Sequence, residues 1–181
     1  KLHMLAPQLK LTELVGPYTF TEMSVSAARQ KELTNWLTQQ ATSHGDEVGL
    51  HIHPYCSFVE SAGVQCVTEP SLVDGKVDAT GYTVACSNYS EGDFSKLLAH
   101  ADSLFTQHGL NKPTSFRAGA WTANDAVLKA LASNGYVADT SANNWARLEE
   151  WTKPVEAPIW EWNKTHWSQI GDTSQPYYPS Q

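Results

Sequence analysis

The chain has 181 residues, 41% of them hydrophobic, and a net charge of −7 with 12 basic residues. That length suits one substantial core, read as a single domain over residues 1–181. Scattered basic residues in an acidic chain argue against a nucleic-acid partner, and no apolar run approaches the roughly 20 residues of a membrane span.

Residues up to about 21 read as mixed, because Pro7, Gly16 and Pro17 interrupt any long element. From 24 to 43 the pattern is helical: Val25, Ala28, Leu33, Trp36, Leu37 and Ala41 trace a loose apolar stripe, and Gly45 stands where a C-terminal cap is expected. Gly49-Leu50-His51-Ile52-His53-Pro54 then reads as a short buried strand. Side chains alternate across a strand, so His51 and His53 share one face while Val48, Leu50 and Ile52 share the other. Two imidazoles so spaced have Cα atoms roughly 6.5 Å apart and can converge on one ion at about 2.1 Å. The same spacing also suits two satisfied polar residues at a strand end.

A long segment at about 54–90 carries all three cysteines, with turn signals at Asp74-Gly75 and a short strand at Tyr82-Thr83-Val84. Connections this long tend to be lids or binding loops. Cys56, Cys66 and Cys86 form no Cys-x-x-Cys pair, so the sequence leaves their pairing open. A Cys66–Cys86 disulfide is the preferred arrangement and would place the protein in an oxidising, extracytoplasmic setting; three separate thiols are the alternative. Seven Trp and seven Tyr add a second hint, since aromatic faces stack on sugar rings, although most aromatics are core.

Ser90-Glu91-Gly92-Asp93 opens a second helix, with Phe94, Leu97, Leu98, Ala101, Leu104 and Phe105 at helical spacing and Gly109 after its end. A strand at Ser115-Phe116-Arg117-Ala118-Gly119 follows Pro113. Thr122 is placed to cap a third helix running to Asn134-Gly135, and Tyr136-Val137-Ala138-Asp139-Thr140 reads as the next strand. Strand, helix and strand within about 27 residues make a βαβ unit, so the expected class is α/β with a parallel sheet or barrel. In such folds working residues sit at the C-terminal ends of strands. His51, His53, Arg117 and Asp139 would then meet at one rim. Taken singly, Arg117 also reads as a surface ion-pair partner and Asp139 as a turn cap.

These residues resemble a family. Gly45-Asp46-Glu47-Val48-Gly49-Leu50-His51-Ile52-His53 is similar to the histidine motif of the NodB-homology polysaccharide deacetylases, the carbohydrate esterase family 4 group. Pro113-Thr114-Ser115-Phe116-Arg117-Ala118-Gly119-Ala120-Trp121, with Asp139-Thr140-Ser141 and Trp145, resembles that family's arginine motif and the strand after it. The likeness runs over about residues 24–145, with the cysteine segment as an insertion. It implies a distorted (β/α) barrel, incomplete at one or both ends, that holds a divalent metal, zinc by expectation, and removes acetyl groups from a polysaccharide or amino sugar in a secreted setting.

Carried onto this chain, the resemblance makes His51 and His53 ligands and lets Arg117 orient the catalytic carboxylate. Trp121, Asp139 and Trp145 would shape the groove, and Tyr55, four residues after His51, would contact substrate. His166, in Thr165-His166-Trp167, would protonate the leaving amine. The family's paired aspartates lie on a first strand ahead of the histidine motif, yet no aspartate precedes Asp46. An upstream segment is therefore expected to supply that strand, the third ligand and the general base; without it the barrel would expose an unpaired edge. The rival expectations are a carbohydrate-binding domain that has lost its base, and a structural zinc or copper site on an unrelated α/β protein.

Overall fold

The computed structural model describes residues 2–149 and 157–176. Its centre is a four-stranded sheet, β1 (Thr12–Val15), β2 (Glu47–Ile52), β3 (Ser115–Ala118) and β4 (Ala138–Asp139), in the order β1-β2-β3-β4 with every pairing parallel. The helices are α1 (Leu2–Leu5), α2 (Tyr18–Thr21), α3 (Ala27–His44), α4 (Cys56–Ser61), α5 (Glu91–Gln107), α6 (Asp125–Ser133), α7 (Trp145–Glu149) and α8 (Pro158–Trp167). Parallel strands need crossovers, and helical segments supply all three. The expected α/β class with a parallel sheet is what the chain forms. Among the described residues no helix is long and apolar enough to cross a membrane.

Local chemistry sets the helix ends. The Ser26 hydroxyl caps α3 by accepting from the Arg29 N–H, and Gly45 closes it in the left-handed conformation (φ 69°). Ser90 caps α5 through the Asp93 N–H, as the sequence indicated. The third helix differs from expectation: Asn124 caps α6 through the Val127 N–H, while the Thr122 hydroxyl is buried in the turn after β3.

The core forms where one face of the sheet meets α5 and α6. Leu50, Ile52 and Phe116 lie against Phe94, Leu97, Leu98 and Phe105, all fully buried. Phe94 and Phe116 meet edge to face at 5.8 Å. Burying each such side chain is worth about 1.5–3 kcal/mol, so this face anchors β2 and leaves its other face for polar residues. Gly49 permits the tight packing of β2 between its neighbours, because a Cβ there would lie 2.5 Å from the Ser115 hydroxyl.

Two readings of the chain need correction here. The opening residues hold β1, which pairs with β2 over Thr12–Val15, so the edge of the histidine strand left to an upstream segment is covered by this chain. Four residues between turn signals were too few to show a period. The final strand is also shorter than expected. Tyr136 turns into the core to donate its hydroxyl to Asp102 at 2.9 Å, which leaves only Ala138 and Asp139 to pair.

The disulfide joins Cys56 to Cys66, with Cα atoms 5.2 Å apart, and not Cys66 to Cys86 as preferred from the sequence. Cys86 is buried on a single helical turn, Cys86–Asn88, with its thiol directed to the Ile52 carbonyl at 3.2 Å. Burial pushes that thiol up to about 12. Core packing therefore claims Cys86, while Cys56 at the start of α4 meets Cys66 across a sequence separation of 10. Peptide mapping of unreduced protein should find the Cys56–Cys66 link, and thiol counting after denaturation one free thiol. Removing the link with Cys56→Ser and Cys66→Ser together should cost about 3 kcal/mol in denaturant unfolding.

Candidate functional site

His51 lies on β2 in register with Arg117 on β3, and His53 follows the strand by one residue. The His51 Nδ1 is 2.9 Å from the Arg117 carbonyl, and the His53 Nδ1 is 2.9 Å from the Tyr82 carbonyl. A carbonyl oxygen only accepts, so each Nδ1 carries the proton. Each neutral ring therefore keeps its lone pair on Nε2, the arrangement typical of metal-ligating histidines. The rings sit 4.9 Å apart, centroid to centroid, and nearly perpendicular. Burial lowers both pKa values, and the neighbouring His53 lowers that of His51 further. Both imidazoles are thus held neutral, the form a metal requires.

The pair opens into a hollow of about 410 Å³ at the C-terminal ends of the strands. Arg117, Trp121, Tyr82 and Thr83 also line it, with Leu72, Val73 and Ile159 giving it an apolar wall. Arg117 is steadied by its Nε, which donates to the Thr140 hydroxyl at 3.0 Å and more weakly to the Thr140 carbonyl. No carboxylate among the described residues lines the hollow, and none joins the histidines in a group of three able to hold an ion.

One wall is under backbone strain. After β3 the chain turns through Ala120 (φ 52°) and Trp121 (φ 59°), two consecutive side-chain-bearing residues in the left-handed region. Such residues cost roughly 1–2 kcal/mol each and persist only where their surroundings hold them. The hold is visible. The Thr122 hydroxyl donates to the Gly119 carbonyl at 2.8 Å, the Asn163 amide to the Ala120 carbonyl at 3.2 Å, and the Trp167 indole to the Trp121 carbonyl at 2.8 Å. Gly119 must be glycine for another reason: a Cβ there would stand 2.7 Å from His53 Nδ1 and 2.8 Å from the Ile52 carbonyl. The turn thereby lies against His53 and presents Trp121 to the hollow.

The other expected site residues distribute unevenly. Asp139 lies outside the lining; in register with Phe116, it sits on the face opposite Arg117, and its carboxylate accepts from the Ser141 hydroxyl at 2.6 Å and the Ser141 N–H at 3.1 Å. Burial raises its pKa. Tyr55 flanks the hollow, stacked on Tyr82 at 4.9 Å and against Tyr18 at 4.2 Å. Trp145 is buried at 7% exposure beside Trp160 and offers no open face. His166 faces a second hollow of about 330 Å³ that shares Leu72 with the first. It stacks flat on Trp162 at 3.8 Å and donates from Nδ1 to the Trp162 carbonyl. Asp46, the nearest preceding aspartate, stands at the opposite end of β2 and binds the Leu11 N–H and His3.

Tyr82, Asn163 and Trp167 were not found from the sequence. Tyr82 acts through its carbonyl, which carries no sequence signal, and Asn163 sits in a helix whose aromatics dominate the pattern. The fold and site together define an α/β protein with a paired-histidine hollow at the C-terminal rim of a parallel sheet. No protein-family model matches the chain, and no curated protein matches it.

Two outcomes follow from this geometry. Because the folded histidines have pKa values below the ordinary 6.5, the unfolded chain binds more protons as pH falls through that value, and stability falls with it. The metal-free double variant His51→Gln, His53→Gln should show less loss of Tm than wild type between about pH 7 and about pH 5. Asn163 is fully buried, donates to Ala120 and Ile159 and accepts from Asn143, so Asn163→Leu should destabilise by about 2–4 kcal/mol in urea unfolding.

Proposed function

We propose that this chain is a metal-dependent carbohydrate deacetylase domain of the NodB-homology type, part of a distorted (β/α) barrel, that removes acetyl groups from a polysaccharide or amino sugar. The observation that carries the reading is the histidine pair. Both rings are fixed by backbone carbonyls so that Nε2 is the free nitrogen, both are held neutral, and both face a hollow edged by Trp121 and Tyr82. The parallel sheet, with its polar residues at the C-terminal rim, and the resemblance of the histidine and arginine segments point the same way. The disulfide accords with a secreted protein.

His51 and His53 would hold the divalent ion, zinc by preference, with a further ligand from outside the described residues. A bound ion would supply Lewis-acid polarisation of the acetyl carbonyl and a water of lowered pKa. Trp121 and Tyr82 give the sugar ring aromatic faces, and the apolar wall at Leu72 and Ile159 suits an acetyl methyl group. With its Nε committed to Thr140, Arg117 keeps its terminal nitrogens for a carboxylate, the general base in this reading. Asp139 supports the rim from beneath through Ser141, whose hydroxyl also accepts from the Ala118 N–H at 2.8 Å.

The absence of a carboxylate from the described lining favours one second reading, a carbohydrate-binding domain without catalysis. Zinc titration of wild type, His51→Ala and His53→Ala, together with acetate release from acetylated chitooligosaccharides and xylan, separates the two. Zinc binding that weakens at least about tenfold in each variant, with acetate release, is the expected result. Saccharide binding without release supports the second reading. Equal zinc content in all three proteins would overturn the metal site.

A further inference from the structure

His53 stands one residue beyond the end of β2, where no strand pairing fixes it, and its Nδ1–H reaches the Tyr82 carbonyl. The place of that oxygen therefore sets the place of the ring. Tyr82 lies in a tight turn over residues 78–83, closed by a hydrogen bond from the Gly81 N–H to the Asp78 carbonyl at 2.9 Å. One carboxylate spans it. Asp78 Oδ1 accepts from the Thr80 N–H at 2.9 Å and the Thr80 hydroxyl at 2.7 Å, and Oδ2 from the Thr83 N–H at 2.8 Å and the Thr83 hydroxyl at 2.7 Å. The four donors bracket Gly81 and Tyr82 on both sides. These bonds, the Thr83 hydroxyl foremost, hold the carboxyl far below its ordinary range.

The turn is also backed from behind. The Cys56 N–H donates to the Thr80 carbonyl at 2.8 Å. Gly81 (φ 74°) approaches so closely that a Cβ would lie 2.5 Å from the Pro54 carbonyl and 3.1 and 3.2 Å from the Cys66 and Cys56 sulfurs. With the disulfide behind and the Asp78 carboxylate within, the Tyr82 carbonyl is left with little freedom on the side that faces His53.

We propose that Asp78 is a positioning residue for the site: its carboxylate fixes the turn whose Tyr82 carbonyl orients His53, keeping Nε2 toward the hollow. This rests on the reading of His53 as a metal ligand. Groups that orient ligating histidines without touching the ion commonly affect metal affinity by about 10- to 100-fold.

The test compares wild type with Asp78→Asn, Asp78→Ala and Asp74→Asn. Asp74 lies on the same segment and accepts from the Lys76 N–H, so its variant controls for a general change in loop charge. Nitrogen NMR of neutral His53 in metal-free protein at about pH 8 reads which ring nitrogen carries the proton. Zinc titration reads affinity, and circular dichroism reads the fold. Wild type and Asp74→Asn should show His53 protonated at Nδ1, Asp78→Ala a mixture of tautomers and zinc affinity lower by about 10- to 100-fold, and Asp78→Asn values between them. An amide keeps one accepting oxygen but turns its NH2 toward the other threonine, which explains the intermediate rank. If Asp78→Ala does not fold, Asp78→Asn carries the comparison.

A lower Tm with an unchanged tautomer and unchanged zinc affinity would overturn the proposal and reduce Asp78 to a loop staple. The tautomer is read without metal, so the two readings fail separately. A wild-type protein that never binds zinc, but whose His53 loosens in Asp78→Ala, would sink the metal assignment and retain Asp78's hold on the ring.

Discussion

The turn from Gly119 to Trp121 is the constraint on which the candidate site depends. It brings the chain out of β3 in a conformation that two of its residues resist, and it does so against the side of His53. Strain of this size would relax if the turn were free. It is held because α8 brings Asn163 and Trp167 to two successive carbonyls and Thr122 folds back onto a third. A helix distant in sequence thus shapes the wall of the histidine hollow without lining most of it, and the burial of Trp167 and Asn163 supports that hold.

The other wall comes from the cysteine-bearing segment, which is organised by polar closures as well as by core. It sends Phe58, Val59, Val64, Leu72, Val84, Ala85, Cys86 and Tyr89 into buried positions. Its order comes from the Cys56–Cys66 link, from one antiparallel bridge between Ser71 and Val84, and from side-chain closures such as those on Asp78. Thr83 connects two of these, since its hydroxyl also lies 2.9 Å from that of Ser71. The two walls are built by different means, strain held by burial on one side and a hydrogen-bonded turn on the other. The histidines lie where they meet.

The elements with a period could be read from the sequence. The stripe of α5 and the alternation around Leu50 and Ile52 express burial on one face, and burial is what a hydrophobic pattern records; the looser stripe of α3 located the helix, but of its residues Leu37 is buried while Ala28 and Trp36 are exposed. The placement of His51, His53 and Arg117 around one hollow followed from strand order and the parallel rule; the same rule put Asp139 at that rim, where the lining does not include it, and Trp121 came only with the resemblance. Without a period, β1, four residues long, was not read at all, and β4 was read over residues 136–140 although only Ala138 and Asp139 pair. The cysteine pairing was misjudged because the competition for Cys86 is tertiary; its thiol is taken by the core and the Ile52 carbonyl, which no spacing rule reveals. Trp145 was placed by the resemblance and His166 without a motif around it; in the structure the first is buried and the second lines a separate hollow.

The atoms that orient the two imidazoles are main-chain oxygens, one from the middle of a strand and one from a loop. Every residue type carries such an oxygen. The side chains at 82 and 117 could therefore change in a lineage, altering the lining of the hollow, without disturbing which nitrogen of either histidine is presented. In this architecture the presentation of the pair is inherited from the path of the backbone, and the lining of the hollow from the residues strung along it, so the two can drift independently.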